Sequence, residues 1–215
     1  MDMTFEKLKD MVRQGVPVQT NSGHVHAGDV FVAMPATGGI KVDGERFVDD
    51  AVTKGAAYVL SRDSVAVPDL DRVYRVVHDD PRAALGELAA ARHGTETLPF
   101  PLIGVTGTNG KTTVAFLIEH LFKERGRRTG LLGTVNYRWP GYSQDAPLTT
   151  PDCWDLHEYM ARMIAADVEV AVMEVSSHAM DQNRVAGLGS SVAVLTNATQ
   201  DHLDYHGDMA RYFWA

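Results

Sequence analysis

The chain has 215 residues, of which 45% are hydrophobic and 22% charged, and its formal net charge is −8 at pH 7. These values allow one large or two small globular domains, and the acidic balance argues against a broad nucleic-acid-binding face. The single cysteine, Cys153, excludes an internal disulfide. With no signal-peptide pattern and no apolar run near the roughly 20 residues of a membrane span, we expect a soluble, cytoplasmic protein.

The first part of the chain alternates helix and strand signals, which predicts an α/β module of about ninety residues. Asp80 before Pro81 is a strong helix start, and Gly94 is a typical helix end. Gly55 is expected to end an earlier helix in the same way. The predicted elements are a helix at 5–13, a strand at 29–34, loops at 36–39 and 43–44, a helix at 47–54, strands at 57–60 and 73–77, and a helix from 81.

A polar and then proline-rich stretch at 94–101 marks a domain boundary. The predicted domains are residues 1–97 and 98–215. Strand patterns recur in the second domain at 100–103, 129–135, 168–175 and 191–196, with a helix expected to start at Thr150-Pro151. This alternation predicts a parallel, doubly wound sheet that binds ligands at the carboxyl ends of its strands.

The stretch from Gly104 to Thr113 reads GVTGTNGKTT and joins a predicted strand to a predicted helix. A glycine-rich turn in this place directs backbone N–H groups, and the positive end of the helix, at one spot that suits phosphate. Lys111 can reach the terminal phosphates, and the Thr112 hydroxyl suits Mg²⁺. The pattern departs from the strict P-loop at Val105, where that motif has glycine. The alternative is an ordinary glycine-rich connection with a surface lysine. The apolar positions of the helix recur at helical spacing: Val114, Leu117, Ile118, Leu121 and Phe122.

A second informative run, residues 168–175, is mostly apolar and brings Glu174 to the carboxyl end of a central strand. A carboxylate beside a phosphate loop can hold Mg²⁺ directly or through water. The alternative is an ordinary ion pair at the end of a strand.

Ser176, Ser177 and His178 follow that strand. The sequence lacks a Gly-x-Ser-x-Gly elbow, and neighbouring Ser and His residues do not form a catalytic triad by spacing alone. We therefore predict a polar loop that contacts an anionic substrate, with Arg184 as the charged clamp. A helix N-cap at Ser176 or Ser177 is compatible with this role.

A third polar cluster, residues 196–207, follows the last predicted strand and contains two histidines and two aspartates. His202 and His206 are four residues apart, so zinc is one explanation. With the only cysteine distant, a Mg²⁺ or substrate role beside the nucleotide fits better. Turn formation is the alternative for Asp204 and His206.

Together these motifs resemble the Mur ligase family. The resemblance rests on GTNGKTT at 107–113, MEVSSH at 173–178 with Arg184, and DHLDYHG at 201–207. Residues 27–33 and 43–47 are similar to the first domain of the family, so the resemblance covers essentially the whole chain.

The resemblance implies a small N-terminal α/β domain that binds a UDP-linked substrate, followed by a partial P-loop-type parallel sheet. It also implies an ATP- and Mg²⁺-dependent amide ligase of peptidoglycan precursor synthesis. A carboxylate of UDP-MurNAc-L-Ala-D-Glu would attack the γ-phosphate of ATP. The amine of meso-diaminopimelate or L-lysine would then capture the acyl phosphate, giving an amide, ADP and phosphate.

The resemblance also implies roles for individual residues. The nucleotide would contact Gly107, Thr108, Asn109, Gly110, Lys111, Thr112 and Thr113. Thr112 would hold one Mg²⁺, and Glu174 and His202 would bind a second Mg²⁺. The catalytic residues would be Lys111, Glu174 and His202. The UDP-linked substrate would contact Ser22, Thr149, Thr150, Ser176, Gln182 and Arg184.

Two departures from the family pattern stand out. Asn21-Ser22-Gly23 replaces the usual Asp-Ser-Arg, and the family's proteins are more than twice this length. We therefore expect a fragment with little turnover of its own. We also expect a monomer whose partners are small molecules and neither nucleic acid nor membrane. The alternatives are a non-catalytic nucleotide- or UDP-sugar-binding module and a folylpolyglutamate synthase-like ligase.

Overall fold

The computed structural model describes residues 3–37 and 42–214. The chain divides into two compact units between Gly94 and Thr95. This division lies within the polar stretch in which the sequence placed a boundary after residue 97. Part of the predicted loop at 36–39, namely residues 38 and 39, lies outside the described residues.

The first unit contains a four-stranded parallel sheet in the order β1-β2-β3-β4. Its helices lie close to the predicted positions, which confirms the α/β module. Asp43-Gly44, expected to be loop, starts a short 3₁₀ helix because the Asp43 carboxylate accepts the Glu45 N–H. The elements are α1 (Phe5–Arg13), β1 (Val18–Gln19), a 3₁₀ helix (Ser22–His24), β2 (Val30–Val32), a 3₁₀ helix (Gly44–Phe47), α2 (Val48–Thr53), β3 (Tyr58–Ser61), β4 (Tyr74–Val77) and α3 (Pro81–His93).

Side-chain caps explain where the helices of this unit begin. The Thr4 hydroxyl accepts the Lys7 N–H at the start of α1. The Asp80 carboxylate accepts two N–H groups of the first turn of α3, just before Pro81. At the other end of α3, Gly94 takes the left-handed conformation (φ 68°) that glycine adopts without strain.

The second unit contains a six-stranded sheet in the order β10-β5-β9-β6-β7-β8. The first four strands are parallel, and β7 and β8 extend the sheet as an antiparallel hairpin. The elements are β5 (Leu102–Thr106), α4 (Lys111–Lys123), β6 (Thr129–Leu132), β7 (Asn136–Trp139), β8 (Tyr142–Asp145), α5 (Cys153–Ala165), β9 (Val170–Glu174), α6 (Ser177–Asp181), β10 (Val192–Leu195), α7 (Leu203–His206) and α8 (Met209–Trp214).

The parallel part of this sheet is covered on both faces. Alternate strand residues such as Leu102 and Met173 belong to the core cluster that contains α5. Their neighbours, such as Ile103 and Val172, pack in a second cluster with α4. Because successive residues of a strand point to opposite faces, the two helices lie on opposite sides of the sheet. The predicted doubly wound arrangement is confirmed.

Three details differ from the sequence predictions. Leu117 and Leu121 of α4 are each 56% exposed, so the five apolar positions do not form one buried face. The buried side of α4 is instead centred on Ala115 and Glu119. The β7–β8 hairpin was not predicted, although Pro140-Gly141 between its strands is a turn signal. The helix expected from Thr150 begins at Cys153.

No helix among residues 3–37 and 42–214 is long and apolar enough to cross a membrane.

Candidate active site

The stretch between β5 and α4, residues 107–110, forms a tight turn at the carboxyl edge of the sheet, which we call the phosphate turn. Gly107 (φ 130°) and Gly110 (φ 84°) both adopt backbone angles that favour glycine. Helix α4 has no side-chain cap at its start, and the first N–H groups of a helix have no partner within it. These N–H groups and the positive end of the helix dipole form a site suited to an anion.

The Lys111 side chain folds back over this turn. Its ammonium group donates to the carbonyl oxygens of Gly107 (2.6 Å) and Thr108 (3.1 Å). These two carbonyl oxygens hold the Lys111 ammonium group beside the turn, close to where the negatively charged oxygens of a bound phosphate would lie. A phosphate that recruited Lys111 would replace these two hydrogen bonds.

Glu174 ends β9 directly beside the phosphate turn, since the register pairs it with Val105 of β5. Its side chain is fully buried. One carboxylate oxygen accepts the Thr112 hydroxyl (2.8 Å) and the Thr134 hydroxyl (3.1 Å), and the other accepts the Thr134 N–H (3.0 Å). None of the ion pairs found in the described part of the chain includes Glu174. A buried carboxylate held only by neutral donors is a strong site for an added cation.

Thr134 is a site residue that the sequence analysis missed. It follows β6 by two residues and is exposed, and its hydroxyl also lies 3.1 Å from that of Thr149. It therefore links the carboxylate beside the phosphate turn to a predicted substrate residue. Its place after a strand of the parallel sheet is the signal that could have identified it.

The other predicted substrate residues of the second unit form one connected network. The Thr150 hydroxyl donates to the Glu174 carbonyl oxygen (3.0 Å) and accepts the Ser176 N–H (3.0 Å). Arg184 donates to the Thr150 carbonyl oxygen (3.3 Å) and to the Gln182 side chain (2.8 Å). The Ser176 hydroxyl also caps α6, so the N-cap alternative is true at the same time.

His202 lies in a cluster of aromatic rings, and within residues 3–37 and 42–214 no hydrogen bond or ion pair joins it to Glu174. It adopts a left-handed backbone conformation (φ 51°), and its ring centroid is 4.7 Å from that of His178. Burial, followed by the nearby charges of His202 and His206, lowers the pKa of His178. His206 is buried, and its Nε2 atom lies 3.0 Å from the Ser177 hydroxyl.

Across the two described stretches, no group of three or more His, Cys, Asp or Glu side chains is arranged to hold a metal ion. The zinc alternative for His202 and His206 therefore has no set of such ligands among these residues.

Ser22 belongs to the first unit and is 7% exposed. It lines a cavity of about 300 Å³ together with Thr20, Asn21, Phe47 and Arg82 among others. The Asn21 side chain accepts the Gly23 N–H, which shapes the turn at the cavity. The Arg82 guanidinium donates to the Pro35 carbonyl oxygen (2.7 Å). The cavity thus combines an apolar ring with hydroxyl and amide groups.

A glycine-rich phosphate turn beside a buried carboxylate, at the carboxyl edge of a doubly wound sheet, defines an α/β protein of the nucleotide-binding class. Residues 105–215 match the model of the Mur ligase middle domain, and residues 17–93 match that of the Mur ligase family catalytic domain. The chain belongs to the Mur ligase family.

Two curated relatives are named UDP-N-acetylmuramoyl-L-alanyl-D-glutamate–2,6-diaminopimelate ligase. The protein of Lawsonia intracellularis is 52% identical over 195 residues, covering 91% of this chain and 40% of the relative. That of Synechococcus elongatus is 45% identical over 202 residues, covering 92% of this chain and 40% of the relative. The chain therefore spans about 40% of the length of these relatives.

Solved structures show the same relationship. A structure of UDP-N-acetylmuramoyl-L-alanyl-D-glutamate–2,6-diaminopimelate ligase matches with a TM-score of 0.72 at 28% identity, covering 91% of this chain and 39% of that one. The MurF ligase of Thermotoga maritima in complex with ADP matches with a TM-score of 0.53 at 25% identity, covering 94% and 42%.

Proposed function

We propose that this chain supplies the UDP-substrate and ATP-binding parts of a ligase that joins 2,6-diaminopimelate to UDP-MurNAc-L-Ala-D-Glu. The names of its relatives support this substrate pair, and they favour diaminopimelate over L-lysine. The observation that carries the proposal is the buried Glu174 carboxylate, which forms no ion pair within residues 3–37 and 42–214. It is bonded instead to Thr112, which follows the lysine of the phosphate turn.

The donor set around Glu174 fits Mg²⁺. This ion prefers oxygen ligands and keeps several waters, so one carboxylate and one hydroxyl are enough protein ligands beside a nucleotide. Thr112 and Glu174 would hold it. The family resemblance implies that Glu174 also shares a second Mg²⁺ with His202, whose ring lies against that of His178. When bound, Mg²⁺ would neutralise charge on the phosphates during transfer.

The chain's own residues would bind and orient the reactants. The N–H groups at the start of α4 would hold the phosphates, and Lys111 would move from the carbonyls of Gly107 and Thr108 to the terminal phosphate. Arg184, fixed by Gln182 and the Thr150 carbonyl oxygen, would clamp an anionic group of the substrate. The cavity around Ser22 would receive the uridine end. We place the enzyme in the cytoplasm as a monomer.

In this reaction a substrate carboxylate oxygen would attack the γ-phosphorus of ATP, and ADP would leave. The amine of the diamino acid would then attack the acyl carbon, releasing phosphate as the C–N bond forms. Positioning and charge neutralisation do most of the work in phosphoryl transfer, which fits a site made of N–H groups, a lysine and a buried carboxylate.

A ligation assay tests the proposal. The protein at the full length of its relatives is given ATP, Mg²⁺ and UDP-MurNAc-L-Ala-D-Glu, and ADP release is measured with diaminopimelate, with L-lysine and without either. We expect ADP release that depends on diaminopimelate. Binding of nucleotide or UDP-substrate without ADP release would instead support the alternative of a non-catalytic binding module.

A further inference from the structure

A segment that follows β10, residues 196–199, is hydrogen-bonded to the phosphate turn through its backbone and side chains. The Thr108 N–H donates to the Asn197 carbonyl oxygen (2.9 Å). The Asn197 amide makes a reciprocal pair with Asn109, since its oxygen accepts the Asn109 N–H (3.1 Å) and its nitrogen donates to the Asn109 carbonyl oxygen (2.9 Å). The Thr196 hydroxyl donates to that same carbonyl oxygen (2.7 Å).

The Thr108 side chain extends this contact. Its hydroxyl accepts the Thr199 N–H (2.9 Å) and lies 2.8 Å from the Tyr212 hydroxyl of α8. Gly107 packs so closely against the segment that an added Cβ would lie 2.7 Å from the Asn197 carbonyl oxygen. The turn is therefore fixed by its neighbours rather than by its own sequence alone.

These hydrogen bonds determine which N–H groups of the turn can bind a phosphate. Those of Thr108 and Asn109 are already bonded to Asn197, so they are engaged within the protein. The N–H groups that remain without a partner inside the helix are those at the start of α4, at Gly110 and in the first turn. Their direction depends on the backbone of Asn109, whose N–H and carbonyl oxygen are both bonded to the Asn197 amide.

We infer that Asn197 is a positioning residue of the nucleotide site. It does not need to contact the nucleotide, because it holds the two peptide groups on either side of the Asn109 Cα so that the next N–H groups converge on a phosphate. A turn that is ordered before binding loses less conformational entropy when the phosphate arrives. The inference rests on the proposed nucleotide site.

The test compares Asn197→Ala with Ser191→Ala in this chain. Ser191 is exposed, lies just before the amino end of β10, and makes no side-chain hydrogen bond among the described residues. The probe is inorganic tripolyphosphate with Mg²⁺, which needs the phosphate turn but no adenine contact, and its affinity is measured by calorimetry. Amide hydrogen exchange at Asn109 is measured on the same unliganded variants.

We expect Asn197→Ala to weaken tripolyphosphate binding about tenfold or more and to speed exchange of the Asn109 N–H. Ser191→Ala should change neither. If Asn197→Ala lowers only the unfolding temperature and leaves affinity and exchange unchanged, the residue is merely structural and the inference is wrong.

Lys111→Ala separates this inference from the proposed function. If wild type and Lys111→Ala bind tripolyphosphate equally poorly, the nucleotide proposal fails. The exchange measurement then still decides whether Asn197 orders the turn: unchanged exchange at Asn109 in Asn197→Ala overturns the inference.

Discussion

Gly133 is predicted to be essential for the conformation of Glu174. A Cβ atom built on Gly133 would lie 3.0 Å from the Glu174 side-chain carboxyl carbon and 3.1 Å from Cγ, and closer still to one carboxylate oxygen. In Gly133→Ala the carboxylate must therefore move, although the φ of Gly133 is not in the left-handed region that favours glycine. Any movement draws Glu174 away from the N–H and hydroxyl of Thr134, which hold it now.

The expected effect follows from this crowding. Overpacking of a buried site costs about 1–3 kcal/mol, and the buried carboxylate cannot turn away without losing charged hydrogen bonds. We expect Gly133→Ala to lower the free energy of unfolding in urea by that amount. Because Glu174 is the proposed Mg²⁺ ligand, Mg²⁺-dependent binding of ADP should weaken about tenfold as well.

Gly189→Ala is the matched control. A Cβ atom at Gly189 meets no other atom within 4 Å, and its φ is not in the left-handed region. This variant should be neutral or slightly stabilising, because alanine restricts the unfolded chain. If Gly133→Ala matches Gly189→Ala in both stability and ADP binding, the packing argument for Glu174 is wrong.

Three further predictions concern the second unit. Lys111→Ala should abolish ATP turnover in a full-length version, and unchanged turnover would contradict a role of the phosphate turn in binding the nucleotide. Burial raises the pKa of Cys153 to about 12, so the thiol should resist iodoacetamide at pH 8 in the native chain and react after unfolding; rapid native labelling would contradict this. Burial opposes ionisation of Glu119, but hydrogen bonds from Arg138 and Lys123 outweigh it and lower its pKa. Because the pKa of Glu119 is lower in the folded state, its ionised form stabilises the fold at pH values above the ordinary glutamate pKa, and this stabilisation is lost as pH falls. The free energy of unfolding should therefore fall more in wild type than in Glu119→Gln below about pH 4.3. Parallel acid-unfolding curves would refute that assignment.

The sequence was sufficient where local patterns determine the structure. Asp80-Pro81 and Gly94 bound a helix because capping acts over a few residues. Lys111, Thr112 and Glu174 could be brought together because a strand–turn–helix unit and a second parallel strand end at the same edge of a sheet.

The sequence was insufficient where contacts join distant residues. The bond from Thr134 to Glu174 spans 40 positions, and that from Asn109 to Asn197 spans 88. Spacing along the chain does not encode such pairs. The exposure of Leu117 was missed for a related reason: periodicity shows that a helix has an apolar side, but only the packed sheet shows how much of that side is covered.

The assignment of Glu174 to a magnesium–nucleotide site is tested by the Mg²⁺ dependence of ADP binding to this chain. Binding is measured by calorimetry for wild type and Glu174→Gln, with Mg²⁺ or with EDTA. Glutamine keeps the size of the side chain and its acceptor oxygen but removes the buried charge. We expect Mg²⁺ to strengthen ADP binding to wild type and this gain to be lost in Glu174→Gln. An equal gain in both proteins, or no binding of ADP to either, would contradict the assignment of Glu174 and the phosphate turn as a magnesium–nucleotide site.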